Sequence, residues 1–176
     1  MLFDRMPLDG DNFITSPFGA WEPWRKERGW GPHKGVDLRA SSGTPIKAPA
    51  AGVVNFVSVF VDQVNGIWVG LTHPDGSQSM YLHMSKRRDD LKVGDMVRPG
   101  DILGWVGATG AVTGPHLHWA YRLAPDTEAV DPMLYRRSPL TTRLSLAAKL
   151  LTGRSLVYPD AIDPQGRPHY DVVVLP

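Results

Sequence analysis

Glycine and proline punctuate this chain closely, 18 and 16 of its 176 residues, while stretches with a helical apolar period are scarce. That pattern divides the chain into short apolar runs joined by tight turns, so a mainly β protein is expected. After a turn at Ser41-Ser42-Gly43-Thr44, residues 45–57 hold short extended pieces whose prolines mark strand ends or edges. Val59-Phe60-Val61 and Ile67 to Leu71 flank Asn65-Gly66, a strong hairpin-turn signal. His73-Pro74-Asp75-Gly76 reverses the chain again, a strand follows from Ser77 to Met84, and the charged stretch Ser85 to Leu91 reads as a loop or one helical turn. Residues 93–107 repeat the theme that begins at Gly43: a Gly-centred turn, a short apolar strand, another turn and a second apolar strand. We read this as a weak internal duplication, consistent with two similar half-sheets packed face to face.

The organisation expected is a polar, turn-rich lead-in over residues 1–13, one domain over 14–135, and an appendage over 136–176. The appendage carries the clearest helix. Ser138 caps it, Pro139 takes its first position, and Leu140, Leu144, Ala147, Ala148 and Leu151 form an apolar stripe ended by Gly153. Such a stripe docks on the sheet or on a partner. The tail beyond Tyr158 turns at Asp163-Pro164-Gln165-Gly166, and Val172 to Leu175 can add a strand.

Charge and cysteine content narrow the function classes. Lys plus Arg (19) nearly balances Asp plus Glu (18), so no large electrostatic term favours nucleic acid or an anionic membrane. No run approaches the roughly 20 apolar residues of a membrane span. With no cysteine there is neither a disulfide nor a thiolate metal site, and any metal must be held by His, Asp or Glu. The N-terminus carries Asp4 and Arg5 without an apolar run, so no signal peptide is expected. A role outside the cytoplasm would then require a leader already removed, release on lysis, or carriage on a particle.

The chemistry concentrates in histidine. On an extended segment His116 and His118 share one face while Leu117 turns to the other, so two imidazoles can meet one cleft or simply line a solvated face. His33 and Asp37 lie four residues apart in a segment whose Gly31, Pro32 and Gly35 favour a turn entering a strand over a helix, and His83 lies near a strand end. A catalytic zinc site takes three protein ligands and keeps a position for water, and a His, Asp, His set suits that borderline cation. Zinc lowers the pKa of bound water towards about 7 and polarises a carbonyl, while further histidines can move protons or stabilise an oxyanion. Trp21, Trp24 and Trp30 fall in a segment without strand or helix period, a surface loop that either lines a groove or is pinned to the core.

Three stretches in order, Gly31-Pro32-His33-Lys34-Gly35-Val36-Asp37-Leu38, Tyr81-Leu82-His83-Met84-Ser85 and Gly114-Pro115-His116-Leu117-His118-Trp119, resemble the lysostaphin-like (LytM-type) zinc metalloendopeptidases. Ser16-Pro17-Phe18-Gly19, Gly43 to Ala48, Val93 to Val97 and Val130-Asp131-Pro132 are also similar to that family, so the resemblance spans about residues 14–135. It implies an antiparallel β-sandwich with a groove over one sheet and a hydrolase of peptide bonds in bacterial peptidoglycan, in the cross-bridge or stem peptide. It further implies one zinc per chain held by His33, Asp37 and His118, with His83 and His116 as the catalytic pair. A monomer acting on the cell wall is expected, as a secreted mature form, a phage-released lysin or a virion-associated enzyme. Where the family often carries an arginine after the Phe-Gly phrase, this chain has Ala20-Trp21, which leaves substrate preference open. His73 and His169 match no catalytic position and are expected to be structural or exposed. Two rival readings remain: an inactive member of the same fold that regulates wall hydrolases, and a lipoyl- or biotinyl-type carrier, which lacks the lysine it would need at a hairpin tip.

Overall fold

A computed structural model describes residues 2–10, 13–125 and 127–136. The helix and strand expected beyond Ser138 lie outside them. The elements in chain order are β1 (Ile14–Ser16), α1 (Pro23–Glu27), β2 (Val36–Arg39), β3 (Pro45–Lys47), β4 (Gly52–Val57), β5 (Ile67–Thr72), β6 (Gln78–Arg87), β7 (Met96–Val97), β8 (Ile102–Val106), β9 (His116–Arg122) and β10 (Ala129–Val130), followed by a 3₁₀ turn over Pro132–Tyr135. Every pairing between these strands is antiparallel. The mainly β, antiparallel architecture expected from turn spacing and family resemblance is therefore the one observed.

The main sheet runs β1-β2-β9-β6-β5-β4-β7, with β10 on β9 and β3-β8 branching from β6. The branch arises because β6 changes partner midway. Gln78 to Leu82 pair with β9, and Met84 to Arg87 pair with β8. Ile46, Leu103 and Val106 of the branch share one core with Val36, Leu38, Leu71, Tyr81, Leu117 and Trp119 of the main sheet, so the two layers close on each other. Burying each such aliphatic side chain contributes roughly 1.5–3 kcal/mol. The similar stretches seen in the sequence meet strand to strand: β3 pairs β8, and β4 pairs β7.

Alternation in β9 is the feature that orients the site. Leu117, Trp119 and Tyr121 are fully buried on the core face, which turns His116 and His118 to the other face. Residues 1–13, expected as a polar lead-in, contribute Phe3 and Leu8 to that core. Phe3 packs 4.8 Å from the Trp119 ring and 4.9 Å from Tyr121, and its N–H donates to the Tyr135 carbonyl at 2.6 Å.

Several local expectations are corrected. Ser85 to Arg87 continue β6 because β8 offers a pairing edge, so the charged stretch starts as strand. Val59, Phe60 and Val61 do not form a strand: β4 ends at Val57, and these three side chains are exposed in the connection to β5. Asp62 caps the tip of that connection by accepting from the Val64 and Asn65 N–H groups, and Gly66 (φ +69°) closes it. The tryptophan-rich segment is not wholly irregular, since Pro23 starts the five-residue α1.

Candidate metal centre

The site forms where β2, β9 and β6 lie side by side. The register places Asp37 opposite His118 and His118 opposite Leu82, and cross-strand partners share a face, so Asp37 and His118 meet on the groove side. His33 precedes β2 in a turn, as the Gly and Pro around it suggest. Its backbone bonds to the segment after β1: its carbonyl accepts from the Gly19 N–H at 2.8 Å, and its own N–H donates to the Ala20 carbonyl at 3.0 Å.

Three donor atoms converge. His118 Nδ1 lies 2.8 Å from Asp37 Oδ1 and 2.9 Å from His33 Nε2, and His33 Nε2 lies 3.1 Å from Asp37 Oδ1. Ligands about 2.0–2.1 Å from a tetrahedral zinc stand about 3.3 Å apart, so this spacing and the neutral, neutral, anionic donor set fit that ion. The second nitrogen of His33 supports the fit. Its Nδ1 lies 3.0 Å from the Pro17 carbonyl, which can only accept, so Nδ1 carries the proton and Nε2 presents its lone pair. Ser16 Oγ, 2.9 Å from the same Nδ1, donates in turn to Glu22 Oε1. Burial would raise the Asp37 carboxyl, but its close contacts with His118 and then His33 outweigh this and hold the group well below the usual carboxylate range.

Room for the His118 ring comes from Gly35. A Cβ there would lie 2.6 Å from the Trp119 carbonyl and 2.7 Å from His118 Nε2, so only glycine leaves this ring its place. Ser16, Glu22, Gly35 and Thr109 are the supporting residues the sequence reading did not single out. Only Gly35, inside the His33 to Asp37 segment, and Ser16, beside Pro17, carried a local signal.

The remaining two histidines face the same groove. His116 lies on β9 with its Nε2 3.7 Å from Asp37 Oδ1, and its Nδ1 donates to the Gly114 carbonyl at 2.9 Å. His83 arrives differently. Simple alternation would send it to the core face with Tyr81, yet its φ of +64° turns the chain at the point where β6 changes partner. Histidine tolerates this region better than most residues, at a cost of order 1–3 kcal/mol. The His83 Nδ1 donates to the Thr109 carbonyl at 2.9 Å, and the loops that make this contact meet backbone to backbone at Gly66 and Gly110. Burial, then the neighbouring His118 and His116, push its pKa down to about 4, so the ring is neutral at pH 7. Each ring ties its Nδ1 to a backbone carbonyl, which leaves Nε2 as its second nitrogen, and the ring centroids are 5.0 Å apart.

These residues line a groove of about 630 Å³ that also takes in Trp24 and Trp30, and a second recess of about 420 Å³ continues past His118 along Trp68 and Met80. The structure therefore brings together all five sequence-predicted positions, His33, Asp37, His83, His116 and His118. His73 stands apart, buried with Nδ1 donating to the Ala51 carbonyl and Nε2 2.8 Å from Ser79 Oγ. His169 lies outside the described residues. Among the described residues no helix is long and apolar enough to cross a membrane.

Comparison with known proteins agrees with this geometry. The family model Peptidase family M23 matches residues 31–132. The chain is 35% identical over 127 residues to lysostaphin of Staphylococcus staphylolyticus, covering 65% of this chain and 26% of that protein. It is 42% identical over 89 residues to the peptidoglycan DD-endopeptidase ShyC of Vibrio cholerae, covering 51% of this chain and 20% of that one. It therefore spans about a quarter or less of the length of these relatives. Among solved structures, a zinc-containing peptidase from Vibrio cholerae superposes with a TM-score of 0.63 at 31% identity, covering 76% of this chain and 40% of that one. This chain belongs to peptidase family M23.

Proposed function

We propose that this chain is a zinc-dependent endopeptidase that hydrolyses peptide bonds of bacterial peptidoglycan, with His33, Asp37 and His118 holding one zinc ion and His83 and His116 as the catalytic pair. The observation that carries the reading is the convergence of His33 Nε2, Asp37 Oδ1 and His118 Nδ1 within 3.1 Å of one another in the groove that His83 and His116 also line. The substrate class is supported by the names of the relatives, lysostaphin and a peptidoglycan DD-endopeptidase. Action on the cell wall, outside the cytoplasm, follows from that class.

Zinc, when bound, supplies Lewis acidity that polarises the scissile carbonyl and makes water nucleophilic near neutral pH. The chain's own groups handle the protons. The backbone bonds of His83 and His116 fix the tautomer in which Nε2 is free, so either ring can accept a proton from the attacking water. A ring that has accepted it becomes a donor at Nε2, able to stabilise the developing oxyanion and then protonate the departing amine. His83 is the reluctant partner, since burial disfavours its charged form, and it serves first as a hydrogen-bond acceptor that orients water. The bond from His33 Nδ1 to the Pro17 carbonyl, with Ser16 and Glu22 beside it, fixes the orientation in which His33 Nε2 faces the other donors.

The test compares metal content and cleavage of purified peptidoglycan. Wild-type protein should carry one zinc and release peptides; His118→Ala should lose both, and His116→Ala should keep zinc and lose rate by about 10²–10⁴-fold. Full cleavage by metal-free protein would overturn the reading.

A further inference from the structure

The chemistry proposed above uses the floor of the groove and leaves one built wall unused. α1 and the turn after it bring two indoles and two guanidinium groups together. Trp24 and Trp30 meet edge to face at 5.9 Å. The Arg25 guanidinium carbon lies 4.8 Å from the Trp24 ring and 6.0 Å from Trp30, and that of Arg28 lies 5.7 and 5.5 Å from the same two rings. The loop is closed by the Trp30 N–H, which donates to the Arg25 carbonyl at 2.8 Å. All four side chains line the groove that holds His83 and His116.

The two arginines differ in what they already hold. Arg25 Nε donates to Glu22 Oε2 at 2.9 Å, and Glu22 also accepts from Ser16, so Arg25 is neutralised and ties the wall to the His33 side of the site. Lys34, at the same groove, is paired with Glu128 at 3.1 Å. Asp37 is engaged by the imidazoles. Arg28 is exposed and has no ion-pair partner among the described residues, which leaves it as the surplus cation of this wall. A guanidinium stacked on aromatic faces keeps its donor edge free and gives up less rotamer freedom on pairing, and its planar fork matches a carboxylate. The alternative, a solvated surface arginine, does not account for its contact with both indoles inside the groove.

We propose that Arg28, held against Trp24 and Trp30, is a specificity-determining residue that selects peptides carrying a free carboxylate near the scissile bond over the same peptides in amidated form. This rests on the endopeptidase reading for its catalytic consequence, but not for the binding it describes.

The test uses a stem-type peptide and its counterpart in which the side-chain carboxylate is a carboxamide. Binding is read from tryptophan fluorescence of the metal-free protein, and cleavage from kcat/KM of the zinc-loaded protein. Wild type should prefer the acidic peptide by about tenfold in both readouts, the size expected of a charge-assisted pair at a partly exposed site. Arg28→Gln should lose that preference, with the loss falling mainly on the acidic peptide, while zinc content stays that of wild type. Arg28→Lys should retain only part of it, because charge without the fork remains. Equal affinity of wild type for both peptides, or an equal loss on both in Arg28→Gln, would overturn the assignment. If neither peptide is cleaved but the binding preference exists and disappears in Arg28→Gln, the Arg28 assignment stands and the endopeptidase reading fails; if both are cleaved at equal rates, the reverse holds.

Discussion

Replacing Gly35 with alanine places one methyl group in the tightest corner of the metal centre, and the outcome can be worked from three contacts. The new Cβ would lie 2.6 Å from the Trp119 carbonyl oxygen, 2.7 Å from His118 Nε2 and 2.8 Å from His118 Cε1. The carbonyl cannot withdraw, because β9 is paired on both sides, with β2 and with β6. The imidazole can. Turning it away carries Nδ1 from its positions 2.8 Å from Asp37 Oδ1 and 2.9 Å from His33 Nε2, which opens the three-donor set. A displaced ligand of this kind should weaken zinc binding by about 10–100-fold, or about 1.4–2.7 kcal/mol. The crowding against Trp119 should cost about 1–3 kcal/mol of folding stability, and for a chain of this size each of those lowers Tm by about 2–4 °C. Chelator competition gives the zinc affinity, and thermal melts of the metal-free protein give the folding cost separately. Gly31→Ala is the control, since a Cβ there meets nothing within 4 Å. Wild-type zinc affinity in Gly35→Ala would refute the reasoning, as would an equal loss in Gly31→Ala.

Two further predictions concern the surrounding residues. The folded-state pKa of His83 is pushed down to about 4 from an ordinary value of 6.5, so between those limits the unfolded chain binds the extra proton. Stability of the metal-free protein should therefore fall as pH drops from about 6.5 towards 4, by up to about 3 kcal/mol from this group, with no further loss from it below that. His83→Gln should flatten, without abolishing, the dependence of the urea midpoint on pH in that window, because buried His118 is lowered in the same direction; an unchanged slope would count against the assignment. Ser16→Ala should weaken zinc binding less than about tenfold, since the Pro17 carbonyl at 3.0 Å still fixes the His33 tautomer. A hundredfold loss would mean that the Ser16-Glu22 link, not the carbonyl, sets that ring.

What the sequence made legible were the features written in local period. The Leu117, Trp119, Tyr121 alternation put His116 and His118 on one face, and the Gly and Pro around His33 placed it in a turn. Residue type and position at turns and strand ends made Asp37 and His83 candidates, and family resemblance, not period, gave them their roles. What stayed hidden depends on long-range contact. The strand identity of Ser85 to Arg87 depends on β8 arriving alongside, and the burial of Phe3 and Leu8 depends on a core assembled from strands far along the chain. Val59 to Val61 look like a strand by composition, but the bulged pairing of β4 with β5 ends before them. The direction of His83 is the clearest case. Period 2 aims it at the core, and only the close meeting of the Gly66 and Gly110 loops, which brings the Thr109 carbonyl to its ring, supports the backbone turn that aims it at the groove.

The same residues that build the core also hold the site's register. Asp37 faces His118 because Leu38 faces Leu117 and Val36 faces Trp119, all four of them fully buried. A slip of one residue between β2 and β9 would bury a carboxylate and an imidazole and expose the apolar set, a cost several times any local gain. The donor geometry therefore needs no rigidity of its own on the β2 and β9 side, since hydrophobic burial supplies it. His33 and His83 lack that protection: they sit on a turn and at a strand break and are held by contacts to loop residues, His33 by Pro17, Ser16, Gly19 and Ala20 and His83 by Thr109 and Asn65. Their positions are the ones that a change in the loops around the groove would move first, so loop substitutions other than at Gly35, which presses directly on His118, should tune the centre through these two rings while Asp37 and His118 stay in place.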